Sequence, residues 1–227
     1  MKKLGLVGGL SWVSTVEYYR NINEGINARL GGLNFAELIL YSLNFGELQA
    51  RGWGNAFPLL LNACESLQSS GAEGLMLCAN TAHLYAEKLQ AEINVPLISI
   101  VSETATAIQK AELKRVGLLG TAFTMEADFF KDGLSAAGIE AIVPAEQKTR
   151  DYIQHTLKEE LGRGILKTET KAAYLKIVDE LVEDGVECIA FACTEIPLLL
   201  SQGDVSVPVF DTLQIHVGAA VDFALAS

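Results

Sequence analysis

The feature that most restricts the fold is a repeat that divides the chain in two. Gly5-Leu6-Val7-Gly8 recurs as Gly117-Leu118-Leu119-Gly120, an offset of 112 residues (117 − 5). Val95-Pro96-Leu97 recurs as Val207-Pro208-Val209 at the same offset (207 − 95). Gly71-Ala72-Glu73 recurs as Gly185-Val186-Glu187 at an offset of 114 (185 − 71). Within each copy, short apolar runs alternate with segments of helical spacing. Strands that alternate with helices build parallel sheets with helices on both faces. The expected class is therefore α/β, with two pseudo-symmetric α/β domains, each a mainly parallel sheet flanked by helices. Residues 1–100 with 212–227 form the first expected domain and residues 101–211 the second. Two such domains are expected to hold a site in the cleft between them, because pockets form preferentially at domain interfaces.

The spacing predicts strands at 4–8, 36–42, 74–78, 95–100, 114–120, 139–143, 185–192 and 207–211. Helices are expected at 16–30, 58–69, 84–90, 102–110, 126–137, 151–161, 168–183 and 212–225. Ser14 or Thr15 is the expected cap of the first helix. Residues 44–57 read as a loop and 121–125 as a turn. Gly8-Gly9 does not fit GxGxxG, so a dinucleotide fingerprint is not supported.

Bulk properties narrow the function. The chain has 227 residues, half of them hydrophobic, enough for a sizeable core. No apolar run reaches the roughly 18 residues of a membrane helix, and Met1-Lys2-Lys3 does not open a signal peptide. A net charge of −11 with no Lys/Arg cluster argues against nucleic acid as a partner. The four cysteines (Cys64, Cys78, Cys188, Cys193) show no CxxC spacing and read as free thiols in a reducing cytoplasm. His83, His155 and His216 lie far apart, so no local zinc spacing exists and no metal is expected. His83 is expected to cap or pack at the start of the helix beginning at Leu84, and the other two to lie on structural helices.

The candidate chemistry sits at one strand end. The apolar run Cys188-Ile189-Ala190-Phe191 leads into Ala192-Cys193-Thr194-Glu195, and open α/β sheets bind ligands at the carboxyl ends of their strands. At the 114-residue offset, Ala79 falls opposite Cys193 (193 − 79), Asn80 opposite Thr194 and Thr81 opposite Glu195. Only one of the two equivalent turns carries a thiol. Cys78 lies one residue before Ala79, and in an extended chain it points the other way. Arg51, in a glycine-bearing aromatic loop, is a candidate carboxylate clamp.

Gly8-Gly9-Leu10-Ser11-Trp12, Asn80-Thr81-Ala82-His83, Gly120-Thr121 with Thr124-Met125, and Cys193-Thr194-Glu195, in this order, resemble the aspartate/glutamate racemase family over essentially the whole chain. The resemblance implies racemisation of an acidic amino acid without pyridoxal phosphate or any other cofactor. Two cysteines face each other across the α-carbon, one thiolate removing the proton and the other thiol delivering one. It further implies Cys193 as catalytic thiol with Glu195 supporting its proton handling. Ser11, Asn80, Thr81, Thr124 and Thr194 are implied substrate-binding donors, with Arg51 and Arg163 as cations for the substrate carboxylates. Family members are commonly homodimers. The first-half motif of the family reads Cys-Asn-Thr, whereas this chain reads Ala79-Asn80-Thr81. Three explanations stand: an engineered cysteine-to-alanine variant, a natural relative with one proton shuttle, or lost catalysis. The corresponding functions are a racemase, a one-thiol lyase or isomerase of the arylmalonate decarboxylase kind, and a non-catalytic acidic amino-acid binding protein.

Overall fold

A computed structural model describes residues 1–226 and divides into two units: Met1–Ile100 with His216–Ser227, and Val101–Ile215. The second boundary falls inside the final helix, so that helix begins in one unit and ends in the other.

The first unit holds a sheet of β1 (Leu4–Gly8), β2 (Leu38–Ser42), β3 (Gly74–Leu77) and β4 (Leu97–Ile98), in the order β2-β1-β3-β4. The second holds β5 (Arg115–Gly120), β6 (Glu140–Ile142), β7 (Cys188–Ala192) and β8 (Val209–Asp211), in the order β6-β5-β7-β8. Every pairing is parallel. The central strands β1, β3 and β7 are buried along their whole length, as continuous apolar runs in a sheet covered on both faces should be.

The sequence repeat is also a repeat of register. Leu4 pairs with Gly74 and Val116 with Cys188, which are the same positions displaced by 112 and 114. Leu75 pairs with Leu97 and Ile189 with Val209, displaced by 114 and 112. Backbone details repeat as well. Glu73 N–H donates to Lys3 O and Glu187 N–H to Arg115 O, and each glutamate's carboxylate accepts an amide from the start of the neighbouring strand.

In the first unit, α1 (Trp12–Leu30) and the last helix, α11 (Thr212–Leu225), approach closely, since a Cβ on Gly25 would lie 2.7 Å from Val221. Helix α1 buries Tyr18, Ile22 and Ile26 at a spacing of four. On the opposite face, α3 (Phe57–Ser69) and α4 (Ala86–Glu92) enclose a core of Leu60, Leu67, Leu75, Leu77 and Leu89. Helix α5 (Ile100–Lys110) leads into the second unit, whose core joins Leu119, Ile153, Tyr174, Leu181, Ile189 and Phe191. Its helices are α6 (Ala122–Glu126), α7 (Asp128–Ala136), α8 (Gln147–Glu159), α9 (Thr168–Glu183) and the short α10 (Ile196–Leu199).

Several boundaries differ from expectation. The first helix starts at Trp12, because Ser11 caps it by accepting the Ser14 amide, while Ser14 and Thr15 lie inside the first turn. Residues 44–57, expected to loop, contain α2 (Phe45–Arg51), capped by the Asn44 side chain, and a 3-10 turn at Trp53–Asn55. Thr121 likewise turns the expected 121–125 turn into the start of α6. In each case a side-chain cap satisfies orphan amides that hydrophobic spacing does not register. The edge strands are shorter than expected, most of all β4 at two residues.

Candidate active site

In both sheets the chain lays its first strand, adds the second on one side and the third on the other. The reversal lies between β1 and β3 in the first unit and between β5 and β7 in the second. Such a switch point opens a crevice at the carboxyl ends of the two strands. All the motif residues from the sequence, the two arginines excepted, follow one of these four strand ends.

In the first unit, β1 ends at Gly8. Gly9 has φ +77°, and a Cβ there would come 2.2 Å from the Leu43 carbonyl oxygen, so only glycine fits. Its N–H donates to Thr15 Oγ1 at 2.9 Å, and that hydroxyl donates to Ser11 O at 2.8 Å. Ser11 is thereby fixed at the helix start. Strand β3 ends at Leu77. The Cys78 amide donates to Val7 O, and its side chain is fully buried. Burial pushes the Cys78 thiol far above its ordinary value, which makes it packing rather than chemistry. Ala79 is half-buried and packs against the core that holds Leu75 and Leu77. Asn80 and Thr81 follow, both buried, and Thr81 begins a 3-10 turn, Thr81–Tyr85.

In the second unit, β5 ends at Gly120, and Thr121 caps α6 by accepting the Thr124 amide. The two threonine hydroxyls lie 3.1 Å apart, so the Thr124 hydroxyl is engaged with its cap. Gln154, which the sequence reading did not single out, accepts the Ala122 amide at 2.7 Å. Strand β7 ends at Ala192 and delivers Cys193, Thr194 and Glu195, all half-buried. Cys193 Sγ donates to Glu195 Oε2 at 3.0 Å, and Thr194 Oγ1 donates to the same oxygen at 2.8 Å. Burial pushes the Cys193 thiol well up, and the adjacent Glu195 carboxylate adds to the effect. The resting group is a protonated thiol already directed at a carboxylate.

The two arginines stand one strand further out, on the segments that follow β2 and β6. Arg51 ends α2 and pairs with Glu47 at 2.8 Å. Arg163 lies in the 3-10 turn Leu161–Arg163 and pairs with Glu159. They are equivalent at the 112-residue offset (163 − 51), and so are their glutamates (159 − 47). Each is followed by a glycine of positive φ, Gly52 and Gly164. This shared Glu-x-x-x-Arg-Gly pattern was readable in the sequence by extending the repeat. Both guanidinium groups are exposed, 48% and 61%, so the pairs hold them only weakly and leave them able to change partner.

Cys64 and Cys188 are buried, with thiols pushed up to about 12 by burial, and carry no chemistry. Among the described residues no group of three or more His, Cys, Asp or Glu side chains gathers as a metal site requires. No described helix is long and apolar enough to cross a membrane.

A profile of the family described as Asp/Glu/Hydantoin racemase matches residues 7–220. The crystal structure of a candidate Asp/Glu racemase from Yersinia pestis is similar over the whole of both chains, with 45% identity and a TM-score of 0.93. An aspartate racemase homologue from Pyrococcus horikoshii OT3 is similar over the whole of both chains at 37% identity and a TM-score of 0.88. The broad specificity amino-acid racemase RacX of Bacillus subtilis is 25% identical over 170 residues, 74% of this chain and 71% of that protein.

Proposed function

Because this chain belongs to the Asp/Glu/Hydantoin racemase family, we propose that it moves the α-proton of an acidic amino acid, with Cys193 as its single thiol proton carrier. The observation that carries the reading is the Cys193–Glu195 hydrogen bond at the end of β7. In the delivering direction, the thiol gives its proton to the planar carbanion and is left as thiolate. In the removing direction, Cys193 first passes its proton to Glu195, and the thiolate then takes the α-proton. No pyridoxal phosphate or other cofactor enters this reading. The carbanion is very basic, so its charge needs donors, and Ser11, Asn80, Thr81, Thr124 and Thr194 are the proposed set. Arg51 and Arg163 are proposed to exchange Glu47 and Glu159 for substrate carboxylates, by bidentate pairing.

With Ala79 in the other seat, chemistry is expected on one face of the α-carbon. In deuterated water, L- and D-aspartate and glutamate should show α-proton exchange of one enantiomer with retained configuration, faster than any loss of optical purity by NMR and polarimetry. Exchange should vanish in Cys193→Ala. Calorimetric binding without exchange of either enantiomer would establish the non-catalytic binding protein instead. Equal rates of exchange and inversion would show that a second proton carrier exists.

The reading includes a homodimer and a cytoplasmic location. Trp12, Val16 and Tyr19 form an exposed stripe along α1, at 73%, 51% and 54%. Leu40, 43% exposed on the edge strand β2, packs beside Thr15 of the same helix. An apolar helix flank beside an open strand edge is a surface that association covers. Sedimentation should give a dimer's mass, and Trp12→Glu with Tyr19→Glu should give a monomer that keeps its circular dichroism. A wild-type monomer at high concentration would remove this part of the reading. The four free thiols suit a reducing compartment, which cell fractionation tests.

A further inference from the structure

Beneath the turn that carries Ala79 lies a buried polar chain. Tyr18, His83 and His216 are 0%, 3% and 0% exposed. The Tyr18 hydroxyl donates to His216 Nδ1 at 2.9 Å, and His216 Nε2–H donates to Ile98 O at 2.8 Å. The imidazoles of His216 and His83 meet edge to face, with centroids 5.5 Å apart. His83 Nε2 accepts the Ile100 amide at 3.2 Å, and His83 Nδ1–H donates to Ala79 O at 3.0 Å. Ile100 N–H can only donate and Ala79 O can only accept, so the pattern admits one tautomer of His83. His216 is fixed as the Nε2–H form by Ile98 O in the same way.

The second unit is an internal control. It has the same strand order and register, yet His83 falls opposite Pro197 (197 − 83 = 114) and His216 opposite Thr104 (216 − 104 = 112). Tyr18 falls opposite Phe130 (130 − 18 = 112), likewise buried. There the start of α11 is tied to β7 by one hydroxyl, Thr212 Oγ1 donating to Phe191 O at 2.9 Å. The fold is thus built once without any buried imidazole. Burying two of them is unfavourable unless every polar atom is matched, and here they are.

We propose that His83, backed by His216 and Tyr18, is the positioning residue of the Ala79-Asn80-Thr81 turn. It holds the residue-79 carbonyl against the start of α5, so that the backbone and side chains of the turn stand at one fixed angle to a substrate. The proposal rests on the reading that this turn belongs to the active site. It does not make His83 an acid or base, because both ring nitrogens are engaged and burial holds its pKa down at about 4.

Long-range proton–nitrogen NMR of the unmodified protein should show His83 as the Nδ1–H tautomer and His216 as the Nε2–H tautomer, with neither titrating between pH 8 and 5. His83→Asn retains a donor near the Nδ1 position, whereas His83→Leu removes both contacts. For α-proton exchange, His83→Leu should lower kcat by about 10²-fold with KM nearly unchanged, the scale of a misplaced catalytic geometry. His83→Asn should recover most of that loss. An Nε2–H tautomer of His83, titration near 6.5, or unchanged kcat in a folded His83→Leu overturns the proposal. If the unmodified protein exchanges nothing, the functional reading fails and the positioning role falls with it, while the tautomers still decide whether the network exists.

Discussion

Replacing Ala79 by cysteine should raise the rate of racemisation by about 10²-fold or more, the range that a positioned acid or base contributes. Position 79 is equivalent to Cys193 in the repeat, follows a strand paired in the same register, and is half-buried rather than sealed. The two thiols would not be alike. Burial keeps Cys193 protonated, and the adjacent Glu195 carboxylate, which accepts its hydrogen bond, adds to the effect. The residue at the equivalent place beside position 79 is Thr81, which carries no charge. A thiol at 79 therefore lacks the carboxylate that raises Cys193 and should be the more acidic of the two. The thiol at 79 would then give up its proton more readily than Cys193, suiting it to the role of base and Cys193 to that of acid. Alkylation followed by peptide mass mapping, as a function of pH, measures the two thiols separately. Inversion of aspartate or glutamate by polarimetry measures the gain. A variant that binds substrate but inverts it no faster would show that position 79 does not face the α-carbon. Adding Cys193→Ala to the variant should remove inversion while leaving the thiol at 79 reactive.

The second large effect is on acid stability. Burial lowers the pKa of His83 to about 4 and that of His216 to about 3, with His83 contributing to the latter. In the unfolded chain both return to about 6.5. Below that value the unfolded state binds more protons than the folded one. Stability is therefore complete above about pH 6.5 and falls as the pH drops towards 4 and then 3. At pH 5 the loss is on the order of 2 kcal/mol for each histidine. The hydrogen-bond partners of the rings are Tyr18 and the backbone at residues 79, 98 and 100, and no carboxylate is among them to hold the charged form. Carboxylates held low by hydrogen bonds, such as Glu126, Glu187 and Asp204, lose their contribution only at lower pH. Denaturant unfolding at pH 7, 6 and 5 isolates the histidine window. His216→Thr, which copies Thr104, should flatten the slope. An unchanged midpoint between pH 7 and 5 would mean that the rings are not buried neutral.

Much of the architecture was readable in the chain. Thr168–Glu183 and Thr212–Leu225 form helices with the expected limits, the first because it carries a long apolar periodicity and the second because it is a long, largely apolar run. The strands whose ends bear the motifs, β1, β3, β5 and β7, were found for a similar reason, as uninterrupted apolar runs. Helix α2 was missed because seven residues with one buried side chain, Leu48, leave almost no periodic signal. The start of α1 was misplaced because Ser11, Ser14 and Thr15 are all good caps, and only the hydrogen bonds choose among them.

The same division runs through the site. The repeat alone paired Cys193 with Ala79, and extending it pairs Arg51 with Arg163, since equivalent positions in two copies of a unit follow from chain order. Tertiary structure decided the state of each group. It put Glu195 within hydrogen-bond reach of the Cys193 thiol, engaged Thr124 with Thr121, and placed each arginine beside its own glutamate. It also brought Tyr18 against His216, 198 residues away, beneath a turn that neither residue adjoins in sequence. Protonation, tautomer and partner depend on burial and on atoms within about 3 Å of one another. Local propensity carries no information about such neighbours, and only the packed fold supplies them.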